Sequence, residues 1–210
     1  MIKTTFTGVI ALFFLIACNQ EKKVSQRISG APIKGAIPAE TIGKFSGKNA
    51  LTHVEALTAF GPRPIGSEAY QLSLQYLETK LAELGWKTMR QNFTGITPIG
   101  PQKFTNLLAR YSPESEPDWN SSTPFLLCSH LDTKLYAEFE FLGVNDSGSS
   151  TGVLVEMARV LSEQNEGAQN IELVFFDGEE AILQNINRKD GLYGSPYYAS
   201  QLDKRSVKPQ

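Results

Sequence analysis

Cysteine, histidine and tryptophan are scarce in this chain, two of each in 210 residues. The cysteines are Cys18 and Cys128, and Cys18 follows an apolar N-terminal run at a position expected to be acylated, so no intrachain disulfide is expected. Cys128 falls in an apolar run and is expected to behave as a small buried hydrophobe. The histidines are His53 and His130, with no H-E-x-x-H, which excludes a helix-borne zinc-protease site. Gly148-Ser149-Ser150-Thr151-Gly152 has the glycines of a nucleophile elbow, but no histidine follows it, as that chemistry requires. Gly143 to Ser149 has phosphate-loop glycine spacing with Ser149 where lysine is needed. Charge of one sign is also lacking. The net charge is −2 and no long run of like charges occurs, which excludes a nucleic-acid footprint or a charged interaction tail.

What is present begins at the N-terminus. Lys3 precedes the apolar run Val9 to Ala17, too short to span a bilayer as a stable helix and ending at a small residue. That pattern reads as a secretory signal over residues 1–17, and Leu15-Ile16-Ala17-Cys18 resembles a bacterial lipobox. Cys18 is therefore expected to carry lipid and hold the protein to a membrane of the bacterial cell envelope. Residues 18–44 are rich in Lys, Gly, Pro and Ser without an apolar period, as expected of a flexible tether, and a catalytic domain follows over 45–210.

Within that domain the period of the apolar residues predicts helices over 50–60 (Leu51, Val54, Leu57), 67–85 (Leu72, Tyr76, Leu77, Leu81, Leu84) and 148–161 (Val153, Leu154, Met157, Ala158, Leu161). Ser67 is placed to cap the second and Gly85 to end it. Strands are predicted at 87–93 and 104–111, and strands buried on both faces at 125–128 and 171–176. Alternating strands and helices predict an α/β fold, with a mixed, mostly parallel sheet covered by helices on both faces. Ligands in such sheets bind beyond the carboxyl ends of the strands.

Both buried strands end in side chains able to hold metal. One runs into Ser129-His130-Leu131-Asp132, the other into Asp177-Gly178-Glu179-Glu180, and Asn145-Asp146-Ser147-Gly148 opens the helix between them. Zinc takes His nitrogen and carboxylate oxygen and keeps a position open when catalytic. In the pair Glu179-Glu180 one carboxylate can hold metal while its neighbour moves protons, with a pKa raised by burial and nearby charge. Each cluster also has a plain reading. Asp146 can simply cap a helix, Asp132 can orient His130, and the Glu pair can start a solvated helix.

Four segments resemble one family: Ala59-Phe60-Gly61-Pro62-Arg63-Pro64, Ser129-His130-Leu131-Asp132-Thr133-Lys134, Gly143-Val144-Asn145-Asp146-Ser147-Gly148 and Phe175-Phe176-Asp177-Gly178-Glu179-Glu180. They look like the co-catalytic-zinc aminopeptidase superfamily, and most like its zinc-dependent glutaminyl-peptide cyclotransferases. Asp190-Gly191-Leu192-Tyr193-Gly194-Ser195 resembles that branch too. The resemblance implies zinc held by Asp146 and Glu180, with His130 added if a second zinc binds, and Glu179 as general acid/base. Substrates would be peptide or protein N-termini, and the protein a monomer. It also implies a third ligand, a His beyond Gln210, so the chain as given is expected to be a C-terminally truncated, inactive form. Two departures bear on substrate preference: residues 181–187 lack the aromatic many cyclases carry there, and Pro196 replaces a basic residue. A zinc aminopeptidase and a non-enzymatic, degenerate binding domain are the competing readings.

Overall fold

A computed structural model describes residues 44–205 apart from 122, 124, 165, 166 and 203. The signal segment, Cys18 and all of the tether but Lys44 therefore lie outside the described residues.

Helix α1 (Gly47–Ala59) starts at Ser46, whose hydroxyl accepts from the Asn49 backbone N–H at 3.2 Å. Helix α2 (Glu68–Glu83) starts at Ser67, capped in the same way by the Tyr70 N–H at 3.1 Å. Each cap satisfies a first-turn donor that has no partner within the helix. A long hairpin follows, β1 (Trp86–Thr97) and β2 (Gly100–Tyr111), in register from Trp86 opposite Tyr111 to Thr97 opposite Gly100. Strand β3 (Phe125–His130), helix α3 (Ser150–Ser162), strand β4 (Ile171–Phe176) and helix α4 (Gly194–Leu202) complete the order.

The sheet runs β1-β2-β4-β3. It is mixed α/β as expected, but among the described strands only β3–β4 is parallel, whereas β1–β2 and β2–β4 are antiparallel. The antiparallel β1–β2 pair comes from the hairpin, whose two-residue turn at Pro98-Ile99 can only reverse the chain.

Helices cover both faces. Leu107, Ala109, Leu173 and Phe175 point to one side and pack with Leu57, Leu77, Leu81, Leu154 and Leu161 of α1–α3. Leu108 and Val174 point to the other and pack with Tyr198 of α4. This alternation is the period-2 geometry of a strand. Fully burying one leucine contributes on the order of 1.5–3 kcal/mol, so α2, with Leu74, Leu77 and Leu81 all inaccessible, is firmly seated. Leu51, Leu72 and Val153, expected on the buried helix faces, are instead exposed.

Strand β4 is buried along its length, as predicted, but β3 is not. Phe125 and Cys128 are exposed because β3 has only β4 as a neighbour among the described strands. The expectation of a buried Cys128 is corrected: a short apolar run marks a strand without saying whether it lies at the centre or the edge.

Candidate active site

The parallel pair β3–β4 places two carboxyl ends side by side, His130 opposite Phe176, and the Leu131 N–H continues the ladder to the Phe176 carbonyl at 2.9 Å. From this edge the two loops diverge, carrying Asp132 on one and Asp177 to Glu180 on the other. Between them Gly143 adopts a left-handed backbone, φ 58°, and starts a wide helical turn over Val144–Ser149 that leads into α3. Only glycine suits it: a Cβ there would come within 2.4 Å of the Thr133 side chain and 2.5 Å of the Asp146 carbonyl. Asp146 itself lies outside helical space, at φ −103° and ψ 99°, and the peptide that follows it is cis.

The three clusters found in the sequence meet here. His130 Nε2 is 2.8 Å from Asp146 Oδ1, so this carboxylate turns to the imidazole rather than capping α3. On the other side of the ring, Nδ1 is 3.5 Å from Asp132 Oδ1 and 4.0 Å from Glu179 Oε2. Nδ1 is buried without a hydrogen-bond partner. The Asp132 oxygens are already committed, one accepting from the Glu179 N–H and the other from the Glu180 N–H, both at 3.1 Å. Asp132, 2% exposed, thus fixes the backbone of the Glu pair and sets a negative charge beneath His130.

The loop after the pair is held just as closely. Asp190 accepts from the Ile182 and Leu183 N–H groups at 2.8 and 2.7 Å. The buried Lys134 ammonium donates to the carbonyls of Ala181 and Leu183. Gly178, φ 65°, lets the chain pass the Phe104 ring, which a Cβ would meet at 2.4 Å. An apolar cavity of about 220 Å³ borders Glu180, walled by Ile99, Leu135 and Ile182 over the Phe104 ring.

Negative charge dominates the site. Burial would lower the His130 pKa, but Asp132, then Glu179 and Asp146, outweigh it and push it up to about 9. The Glu179 carboxyl is raised first by burial, against the opposing pull of His130, with Asp132 and Asp146 adding to the rise. The Glu180 carboxyl is raised by burial and then by Asp132, Asp146 and Glu179. Two carboxyls that hold protons more tightly than usual, beside a cleft, suit acid–base work near neutral pH.

Imidazole nitrogen with carboxylate oxygens is a zinc donor set, and a divalent cation would relieve the crowding of negative charge. Among the described residues, however, no group of three or more His, Cys, Asp or Glu side chains is placed to hold a metal ion. The residues fit zinc in kind and supply an incomplete shell.

Arg63, Lys134 and Asp190 were not assigned roles from sequence, although each lay in a motif quoted there. Their signal was a charged residue embedded among Pro, Gly and apolar neighbours, where solvation is costly and a buried partner is required.

Residues 106–209 match Peptidase family M28. The chain is 28% identical over 198 residues to a glutaminyl-peptide cyclotransferase-like protein of Bos taurus, covering 88% of this chain and 50% of that protein. In structure it is similar to the glutaminyl cyclase of Porphyromonas gingivalis, with a TM-score of 0.63, 30% identity and coverage of 74% of this chain and 53% of that one. A Zn-dependent exopeptidase from Parabacteroides distasonis also has a TM-score of 0.63, at 25% identity, covering 74% of this chain and 56% of that one. By fold and sequence, then, the chain belongs to the zinc aminopeptidase superfamily. Within it, the cyclotransferases named above are among its relatives, and the chain spans about half the length of the curated relatives it matches.

Proposed function

We propose that this chain carries the acid–base centre and part of the metal shell of a zinc-dependent glutaminyl-peptide cyclotransferase, an acyltransferase acting on peptide or protein N-termini. The observation that carries the reading is the placement of Glu179. Its N–H is anchored on buried Asp132 while its carboxyl, raised in pKa, faces the His130–Asp146 pair.

Asp146 and Glu180 would hold the zinc, with His130 beside them. When bound, zinc supplies positive charge at the side-chain amide carbonyl of an N-terminal glutamine. Asp132 keeps the Glu pair at a fixed height above the sheet and balances charge on His130. The α-amine nitrogen of the substrate attacks the side-chain amide carbon, and Glu179 accepts the proton it sheds. Glu179 then gives that proton to the departing amide nitrogen as the carbon–nitrogen bond breaks. A ring amide and ammonia result, and Glu179 ends as it began.

One observation favours a second reading. The 2.8 Å contact between His130 Nε2 and Asp146 Oδ1 brings a nitrogen donor to the carboxylate that would bridge two metals in an aminopeptidase. There Glu179 would deprotonate water instead. Incubation of a zinc-loaded, full-length protein that completes the metal shell, with Gln-peptides and with aminoacyl anilides, separates the two. Ring closure with ammonia release, lost by two to four orders of magnitude in Glu179→Gln, is the expected result. Anilide hydrolysis without ring closure would replace the first reading by the second, and neither reaction together with no retained zinc would favour a binding domain.

Membrane attachment through a lipid on Cys18 belongs to the same proposal and rests on the sequence alone. Radiolabelled palmitate should enter the wild type and not Cys18→Ser; equal labelling of both ends that part of the reading.

A further inference from the structure

We propose that Arg63 is a positioning residue that ties the loop after His130, which carries Asp132, to the loop carrying Asp146, and so sets the gap across which a cation would be shared. The inference rests on the zinc reading above. Arg63 is wholly inaccessible, a rare state for an arginine. Its Nε donates to the Leu131 carbonyl at 3.0 Å, in the first loop. Its Nη1 donates to the Leu142 carbonyl at 2.9 Å and its Nη2 to the Gly143 carbonyl at 3.2 Å, both in the second. The backbone is fastened to the first loop as well. The Arg63 N–H donates to Thr133 Oγ1 at 2.8 Å, and the Arg63 carbonyl accepts from the Thr133 N–H at 3.1 Å.

The flanking residues make this a rigid anchor. Pro62 and Pro64 fix φ on either side and hold Arg63 itself in extended space. The planar fork reaches three carbonyls across both loops from three separate nitrogens, a span that the compact ammonium of lysine does not match. Burial pushes the guanidinium pKa down while the nearby Asp132 charge pulls it up. Arg63 therefore brings positive charge to the underside of a site crowded with carboxylates. It touches none of the groups that would meet substrate, so its effect is on geometry and field.

The test compares the full chain with Arg63→Lys, Arg63→Ala and Thr133→Val by two readouts, zinc dissociation constants from chelator competition and amide hydrogen exchange at residues 142–146. Arg63→Lys should weaken zinc tenfold to a hundredfold, the range typical for lost outer support of a metal site, and speed exchange across 142–146. Methylguanidinium added to Arg63→Ala should restore part of both, which a merely space-filling role would not allow. Thr133→Val, which removes one tie and keeps the shape, should move both readouts the same way by several-fold. Should Arg63→Lys fail to fold, the valine variant decides. Unchanged zinc affinity and unchanged exchange in a folded variant overturn the proposal. If a full-length protein that completes the shell binds no zinc, the functional reading fails, while the exchange rates still decide whether Arg63 ties the loops.

Discussion

Carboxylates gather at both ends of β4 and are treated in opposite ways there. At the start of the strand, Glu172 is fully buried and meets Arg110, Arg205 and the Tyr198 hydroxyl. Its Arg205 contacts are 3.0 and 3.1 Å, and every oxygen has a cationic partner. Beyond the end of the strand, Asp132, Asp146, Glu179 and Glu180 crowd around a single imidazole, with Arg63 below. One end is compensated and closed. The other keeps an excess of negative charge beside a cleft, and that imbalance, rather than burial, separates the candidate site from a structural ion cluster. A buried pair is a weak claim to net stability but costs a great deal to half-remove.

The largest expected effect lies at the compensated end. Glu172→Gln leaves two buried arginines without a counter-charge and should cost about 3–5 kcal/mol in urea unfolding. A loss below about 1 kcal/mol would erase the contrast between the two ends.

Next comes pH. In metal-free protein the folded His130 pKa, about 9, lies above its ordinary 6.5, so the stability from its charged form is complete below pH 6.5 and lost as pH rises through 9. The raised Glu179 and Glu180 act in the same direction at lower pH, since the folded state holds their protons longer than the unfolded chain does. Stability in chelator should therefore fall by roughly 1–3 kcal/mol between pH 6.5 and 9, and His130→Gln should flatten the slope. A rise over that interval would contradict the charge balance described for the site.

Glu179→Gln should shift metal-free stability by less than about 1 kcal/mol, toward greater stability, because it removes a like charge. A loss as large as that of Glu172→Gln would show the two ends to be alike. The smallest effect is expected at Cys128. Although the residue is exposed at the sheet margin, the packing around its thiol and then the Glu172 charge push the thiol up to about 11. Cys128→Ser should change stability by no more than about 0.5 kcal/mol. The alkylation profile of Cys128 should move to lower pH in Glu172→Gln, and an unmoved profile would place Glu172 out of electrostatic reach.

These residues also show what a sequence discloses. The gathering of His130, Asp146, Glu179 and Glu180 was legible because apolar runs predict strands whose carboxyl ends open onto one edge of the sheet. Asp132 was placed behind His130 by its spacing, but its second task, receiving the Glu179 and Glu180 N–H groups, was not visible. Arg63, Lys134 and Asp190 were hidden for the same reason. They bind main-chain groups of remote loops, and such partners leave no pattern in side-chain order. The helices were readable from their period and caps. The joining of β1 to β2 was missed because Gly95 and Pro98 look like interruptions, yet the register carries the strands through to a two-residue turn. Among the described strands β3 lies at the end of the sheet, and what lies beside a strand is not encoded in composition.

The length of that hairpin bears on how the chain acquires its shape. Twelve residues of β1 face twelve of β2 around one turn, so their contacts close small loops and can form early. The parallel ladder is different, since Phe125 must wait for Ile171. During synthesis, which runs at roughly 5–20 residues per second, the hairpin with α2 can assemble while β4 is still inside the ribosome. The residues gathered beyond β3 and β4 depend on that later ladder, so topology lets the platform beneath them form first.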